Sequence, residues 1–254
     1  VTVICSDKTG TLTRNEMMVQ TVVTPAGLSR VHGTGYDPTG GLDHAADAEP
    51  SQAGQVASLA RAAALCNDAE LVERDGRWLA EGDPTEAALV TLAHRAGLDA
   101  TAIRREQPRI DAIPFDPAYK YMATLHPADQ DRTVVVKGAP EVLLPRCGLG
   151  SSDAATYRQW LEEIEALAEQ GMRTLAITTK SVSPETTALE HDDIADGLQL
   201  QGIVGITDPP RDEAIEAVGV CQEAGIRVKM ITGDHALTAR AIAAQLGIGN
   251  GHDV

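Results

Sequence analysis

The sequence predicts an α/β fold in which the two ends of the chain build a parallel sheet and an α+β domain is inserted between them. Three observations carry this. Val1-Thr2-Val3-Ile4-Cys5 is a short apolar run that breaks into polar Ser6-Asp7-Lys8-Thr9-Gly10-Thr11, the pattern of a buried parallel strand ending in a ligand-bearing loop. From Gln199 onward, strand-like and helix-like stretches alternate, and a βαβα order implies parallel strands under helices. Between the ends the texture is mixed, with hairpins as well as helices. The expected division is residues 1–19 and 200–254 as one incomplete parallel-sheet domain, with residues 20–199 as the insertion.

Taken in order, the first strand and its loop end at Thr13, and Arg14 to Val23 reads as a connection. Residues 24–50 contain GTGYDPTGG and DHAADAEP, which is loop chemistry with a short strand near Tyr36. Val56, Leu59, Ala63 and Cys66 recur at helical spacing within Gln52 to Cys66. Glu70 to Val72 and Arg77 to Leu79 flank Asp75-Gly76 and read as a hairpin. Asp83 is placed as an N-cap, with Pro84 at the first helical position and Glu86 three after the cap. That helix should stop at Gly97.

Ile113 to Phe115, Tyr121 to Leu125 and Thr133 to Val136 are strand-like, the last two forming a hairpin. Tyr157, Leu161, Ile164 and Leu167 mark the apolar face of a helix ending at Gly171, and Arg173 to Thr178 is the next strand. Then come a strand at Leu200 to Ile206 and a helix from Pro209-Pro210 to Glu223. A strand at Arg227 to Ile231 follows, and a helix from Asp234 to Leu246 closed by Gly247.

Composition narrows the function classes. Of 254 residues, 43% are hydrophobic and only 3% aromatic, so aliphatic side chains and alanine must fill the core. A formal net charge of -16 argues against a nucleic-acid partner, while leaving room for a local nucleotide site. No apolar run is long enough to span a bilayer, and no basic leader precedes the first strand. Cys5, Cys66, Cys147 and Cys221 form no CxxC pair and are expected to be buried free thiols in a reducing compartment. A chain that opens on a core strand is expected to be cut from a longer one.

Asp7-Lys8-Thr9-Gly10-Thr11-Leu12-Thr13 after an apolar run resembles the phosphorylation motif of the P-type ATPases, pumps that pass through an aspartyl phosphate. The resemblance covers most of the chain: GDPTE at Gly82 to Glu86, LCNDA at Leu65 to Ala69, KGAPE at Lys137 to Glu141, DPPR at Asp208 to Arg211, and TGD at Thr232 to Asp234. It is closest to the type II, calcium-pump-like bacterial members. It implies a haloacid-dehalogenase-like phosphorylation domain interrupted by a nucleotide-binding domain.

The catalytic group implied is Asp7 as nucleophile, Lys8 against the phosphate, and Thr232, Gly233 and Asp234 at the phosphoryl group. Asp7 and the Thr9 carbonyl would ligate Mg2+. Thr9 also separates this chain from phosphatases of the superfamily, which carry at that position an aspartate that activates water. For ATP, the resemblance implies Phe115 stacking on adenine with Lys120 and Met122 nearby. Glu86 would accept from the adenine amino group, and Lys137 and Gly138 would line the ring. Arg173 would hold phosphates and Asp208 would lie at a hinge near the nucleotide.

Two departures stand against this. Pro117 occupies a position where many calcium pumps have an arginine, and the family's GDGxND motif is expected only beyond Val254.

The function implied is that of a soluble cytosolic piece of an ATP-driven cation pump in a bacterial plasma membrane. Its partners would be ATP, an actuator domain of the same polypeptide and a cation held by membrane helices. A phosphatase of the dehalogenase superfamily and a non-catalytic nucleotide-binding module are the alternatives.

Overall fold

The computed structural model describes residues 1–46, 48–148, 154–233 and 236–249. Asp234, expected at the head of the last helix and in the TGD site, lies outside them. The chain opens with β1 (Val3–Asp7) and a turn over Lys8–Leu12, then β2 (Met18–Thr24), β3 (Gly27–His32) and β4 (Gly41–His44). Helix α1 (Gln52–Leu65) leads to the β5 (Glu70–Arg74) and β6 (Arg77–Glu81) hairpin, followed by α2 (Pro84–Arg95) and α3 (Ala100–Glu106). Strands β7 (Asp111–Asp116), β8 (Tyr121–Pro127) and β9 (Arg132–Gly138) precede α4 (Pro140–Arg146), α5 (Ala154–Glu169) and β10 (Arg173–Val182). The chain returns through β11 (Gln199–Thr207), α6 (Asp212–Glu223), β12 (Arg227–Ile231) and α7 (Ala236–Gln245).

Eight strands form one antiparallel sheet in the order β4-β3-β2-β11-β10-β9-β8-β7. Helices cover it on both faces. Val22, Val135, Ile177 and Val204 pack with Leu59, Leu89 and Leu92 of α1 and α2. Their chain neighbours Val23, Val134, Ala176 and Ile203 pack with Leu143, Leu144, Trp160 and Leu167 of α4 and α5. The period-2 alternation of a strand is thus apolar on both sides.

Apart from this sheet, β1 pairs with β12 in parallel, Val3 opposite Arg227 through Asp7 opposite Ile231. Leu12, Val218, Ile242 and Leu246 form a small core beside that pair, with Val228 and Met230 of β12 against it.

Several expectations are corrected. Leu200 to Ile206 is not a strand of the parallel sheet; β11 pairs antiparallel with β2 and β10 in the middle of the large one. A strand covered on both faces reads as a continuous apolar run whichever way its neighbours point. Arg14 to Val23 is no mere connection, since Met18–Thr24 is β2 and pairs with β11. The Gly-rich region 24–50 supplies β3 and β4, and Tyr36 sits between them in a turn. Helix α6 begins at Asp212, after Pro210 has bridged to Thr13. Leu161 is exposed on α5 and Trp160 is buried in its place. Of the cysteines only Cys66 is fully buried, and Cys5 is exposed.

The turn after β3 is held from a distance. Arg95, at the end of α2 and 6% exposed, donates through Nη2 to the carbonyls of Gly35 at 3.0 Å and Asp37 at 2.9 Å. Tyr36 beside them is buried, which pushes its phenol up to about 12, and its oxygen accepts from the Met17 amide at 3.3 Å. Arg95→Met keeps the apolar stem but leaves these carbonyls without their donor. A loss of about 3 kcal/mol is expected in urea unfolding, and a loss under about 0.5 kcal/mol would contradict the role given to Arg95.

Candidate functional site

Asp7 is the last residue of β1, and its partner in register, Ile231, is the last of β12. Because the strands are parallel, the loops after both leave the same edge of the sheet. Asp7 is therefore brought beside Thr232 and Gly233, which follow Ile231 directly. The side chain of Asp7 is exposed, as are Thr9, Thr11 and Gly233, whereas Lys8 is buried and Thr232 half-buried. The loop turns at Gly10, whose φ of 73° is a left-handed conformation natural to glycine. It closes where the Thr13 amide donates to the Lys8 carbonyl at 3.0 Å.

This loop is clamped by the segment that leaves β11. The Arg211 amide donates to the Leu12 carbonyl at 2.9 Å, and the Arg14 amide to the Pro209 carbonyl at 3.0 Å. Arg211 adds two side-chain bonds, from Nε to the Thr13 carbonyl at 2.8 Å and from Nη2 to the Gly10 carbonyl at 3.1 Å. The Thr13 hydroxyl donates to Asp208 Oδ2 at 2.6 Å, and Arg14 pairs with Asp212 at 2.7 Å. Asp208, expected near the nucleotide, is thus buried against the Asp7 loop. Thr13 and Arg211 fall within the motifs read from sequence, but no local pattern signals their bonds to each other's segments, since the partners are nearly 200 positions away in the chain.

A second group lies on the face of the large sheet under α1 and α2. Lys137 of β9 is 7% exposed, and its ammonium binds both the Glu86 carboxylate and the Cys66 carbonyl, the latter at 2.6 Å. The other Glu86 oxygen accepts from the Asp68 amide at 2.8 Å. Glu86 therefore does not close a capping box; Asp83 alone caps α2, accepting from Thr85 and Glu86 amides at 2.8 and 3.0 Å. Met122 stands opposite Lys137 in register and is 2% exposed, within the core.

Gly138 serves the packing of strands rather than leaving room above them. A Cβ there would come within 2.6 Å of the Lys120 carbonyl and of the Tyr121 side chain.

Phe115 and Lys120 sit on the β7–β8 hairpin, at the edge of the sheet. Phe115 is 59% exposed, which removes core packing as its explanation. Lys120 has φ 57° and reaches Glu141 at 3.1 Å. Arg173 is exposed at the start of β10, opposite Ile206, and so lies toward the Asp208 clamp rather than beside Lys137.

The buried pair makes Lys137 a structural residue whatever else it does. Lys137→Met would leave the Glu86 carboxylate, 13% exposed, without its cation. A loss of about 3 kcal/mol in urea unfolding is expected, most of it recovered when Glu86→Gln is added. Additive losses in the double variant would contradict the pairing.

Among the described residues, no group of three or more His, Cys, Asp or Glu side chains is arranged as a metal site. No helix among them is long and apolar enough to cross a membrane.

Residues 55–213 match the family described as P-type ATPase, cytoplasmic domain N. The chain is 43% identical over 258 residues to the cation-transporting ATPase pma1 of Synechocystis. It is 42% identical to the probable cation-transporting ATPase F of Mycobacterium tuberculosis and 37% identical to the calcium-transporting ATPase of Bacillus subtilis. These matches cover 96–97% of this chain and 28% of each relative, so the chain spans little more than a quarter of their length. By the extent of the family match, more than half of its length, the protein belongs to the P-type ATPase family, cytoplasmic domain N.

Proposed function

We propose that this chain binds Mg-ATP in its large-sheet lobe and accepts the γ-phosphoryl group on Asp7. The observation that carries the reading is the parallel register of β1 on β12. It sets an exposed carboxylate at the strand end next to Thr232-Gly233. A carboxylate oxygen of Asp7 would attack the γ-phosphorus, and the bond to ADP would break with the electron pair leaving on the β-phosphate oxygen. The Thr232 hydroxyl and the amide of Gly233 suit the equatorial oxygens, and Lys8 adds positive charge; Asp234 completes the motif as an acceptor and not as a donor to those oxygens.

The donors available to Mg2+ at the loop are the Asp7 carboxylate and the Thr9 carbonyl. Both are hard oxygens, which fit an ion that keeps several of its waters. When bound, the ion would neutralise charge on the transferring group.

Phe115 is exposed and free to stack on adenine. Lys120, exposed on the same hairpin, would lie near the adenine, and Arg173 is an exposed cation suited to phosphates. Glu86 and Lys137 enter as a pair. Each Glu86 oxygen already accepts one bond, from Lys137 or from the Asp68 amide, and keeps a second lone pair with which it would accept from the adenine amino group. Met122 lies in the core beneath them, and Gly138 would support the adenine pocket through the close packing of β8 on β9.

The chain divides most naturally where it crosses between sheets, at Leu12–Arg14 and Thr207–Arg211. On this reading β2 and β11 belong with the nucleotide lobe, in place of the boundaries of 19 and 200 expected from sequence. In the longer polypeptide, the aspartyl phosphate would drive a cation through membrane helices and meet an actuator domain on the cytoplasmic side. Thr9 in place of a water-activating carboxylate favours this over the phosphatase reading.

The test is acid-quenched labelling of the full-length protein with γ-labelled ATP and Mg2+. Hydroxylamine-labile label on Asp7 is expected, lost in Asp7→Asn while ATP affinity stays within about twofold. Label surviving Asp7→Asn, or fast turnover of a simple phosphate ester without label, would contradict the proposal. Phe115→Ala should weaken ATP binding about tenfold, read by calorimetry.

A further inference from the structure

We infer that Asp208 is a positioning residue for the Asp7 loop and not a ligand of the nucleotide, an inference that rests on Asp7 being the phosphoryl acceptor. Asp208 is 7% exposed, and its Oδ2 accepts the Thr13 hydroxyl proton at 2.6 Å. The other oxygen, Oδ1, has no hydrogen-bond partner among the described residues. Thr13 is therefore the group through which this carboxylate acts. A buried carboxylate is also a poor neighbour for an anionic triphosphate, because like charges repel strongly away from water.

Thr13 is fully buried and its Oγ1 stands 3.3 Å from the Gly10 amide and 3.0 Å from the Lys8 carbonyl. A hydroxyl has one proton to give. Giving it to the carboxylate at 2.6 Å leaves the oxygen free to accept from Gly10. Arg211 meanwhile takes the Gly10 carbonyl at 3.1 Å. Gly10, at a φ of 73°, is thus held through both its N–H and its C=O. Asp7 lies three residues earlier, so the direction its carboxylate faces follows from this turn. In-line transfer depends on such placement, and a displacement of about 1 Å costs on the order of a hundredfold in rate.

The experiment uses the full-length protein with Asp208→Asn, Thr13→Val and Thr13→Ser. Asp208→Asn and Thr13→Val are expected to slow phosphoenzyme formation at saturating ATP by about tenfold to a hundredfold, with the ATP Kd within about twofold. Thr13→Ser, which keeps the hydroxyl, should stay near the parent. The double variant Asp208→Asn/Thr13→Val should be no slower than the worse single one, since both remove one bond. Hydrogen exchange at the Gly10 amide should quicken in Asp208→Asn and Thr13→Val and not in Thr13→Ser.

A weakened ATP affinity in Asp208→Asn with an unchanged saturated rate would make Asp208 a nucleotide ligand and overturn the inference. So would equal behaviour of Thr13→Val and Thr13→Ser. A parent protein that takes no label defeats the Asp7 reading instead, and the exchange of Gly10 then still decides whether Asp208 holds the loop.

Discussion

The pairing of β1 with β12 is the constraint on which the rest depends. These strands are more than 200 residues apart in the chain, yet they lie side by side, in parallel, with Asp7 opposite Ile231. Parallel pairing requires a crossover, and here everything between the two strands serves as that crossover. Its consequence is chemical: two loops that could have emerged at opposite ends emerge at one. An acidic group and a hydroxyl-glycine loop then share a single edge, the place where open α/β sheets carry their ligands.

The lobe between them is held by different physics. Its sheet is antiparallel and covered on both faces, so its central strands carry apolar residues on both sides, with buried threonines and a few charged groups set among them. Lys137 and Glu86 are the clearest case. A buried ammonium and a largely buried carboxylate offset each other's desolvation, and a backbone carbonyl and an amide bond them further. The two lobes meet where Leu12–Arg14 runs against Pro209–Arg211. That joint carries backbone bonds, a bridge and the Arg211 contacts, so movement of the large lobe would reach the Asp7 loop through it.

Much of this was legible in sequence. The cap at Asp83, the β5–β6 hairpin at Asp75-Gly76 and the strands β8, β9 and β12 follow from local pattern and turn chemistry. The motif around Asp7 was expected at the end of the first strand, and Asp7 is the last residue of β1. What local pattern could not supply was direction and partnership. An apolar run such as Leu200 to Ile206 is the same whether its neighbours are parallel or antiparallel, so β11 was assigned to the wrong sheet. Glycine-rich spacing around residues 24–50 hid β3 and β4, whose pairing rests on neighbours rather than propensity. In the site, Asp208 was expected at a hinge near the nucleotide, and its hydrogen bond to Thr13 leaves no trace in spacing. Arg95 escaped for the same reason, since an arginine that satisfies distant carbonyls looks like any surface arginine, and Arg211 was named in DPPR without its carbonyl partners.

The measurement that tests the central claim most directly is a set of cross-strand nuclear Overhauser contacts between isotope-labelled β1 and β12. Contacts between the Ile4 and Val228 pair and between the Ser6 and Met230 pair, in the pattern of parallel strands, are the expected result. Their absence, or a register moved by one residue, would turn Asp7 away from Thr232-Gly233 and contradict the placement of the site.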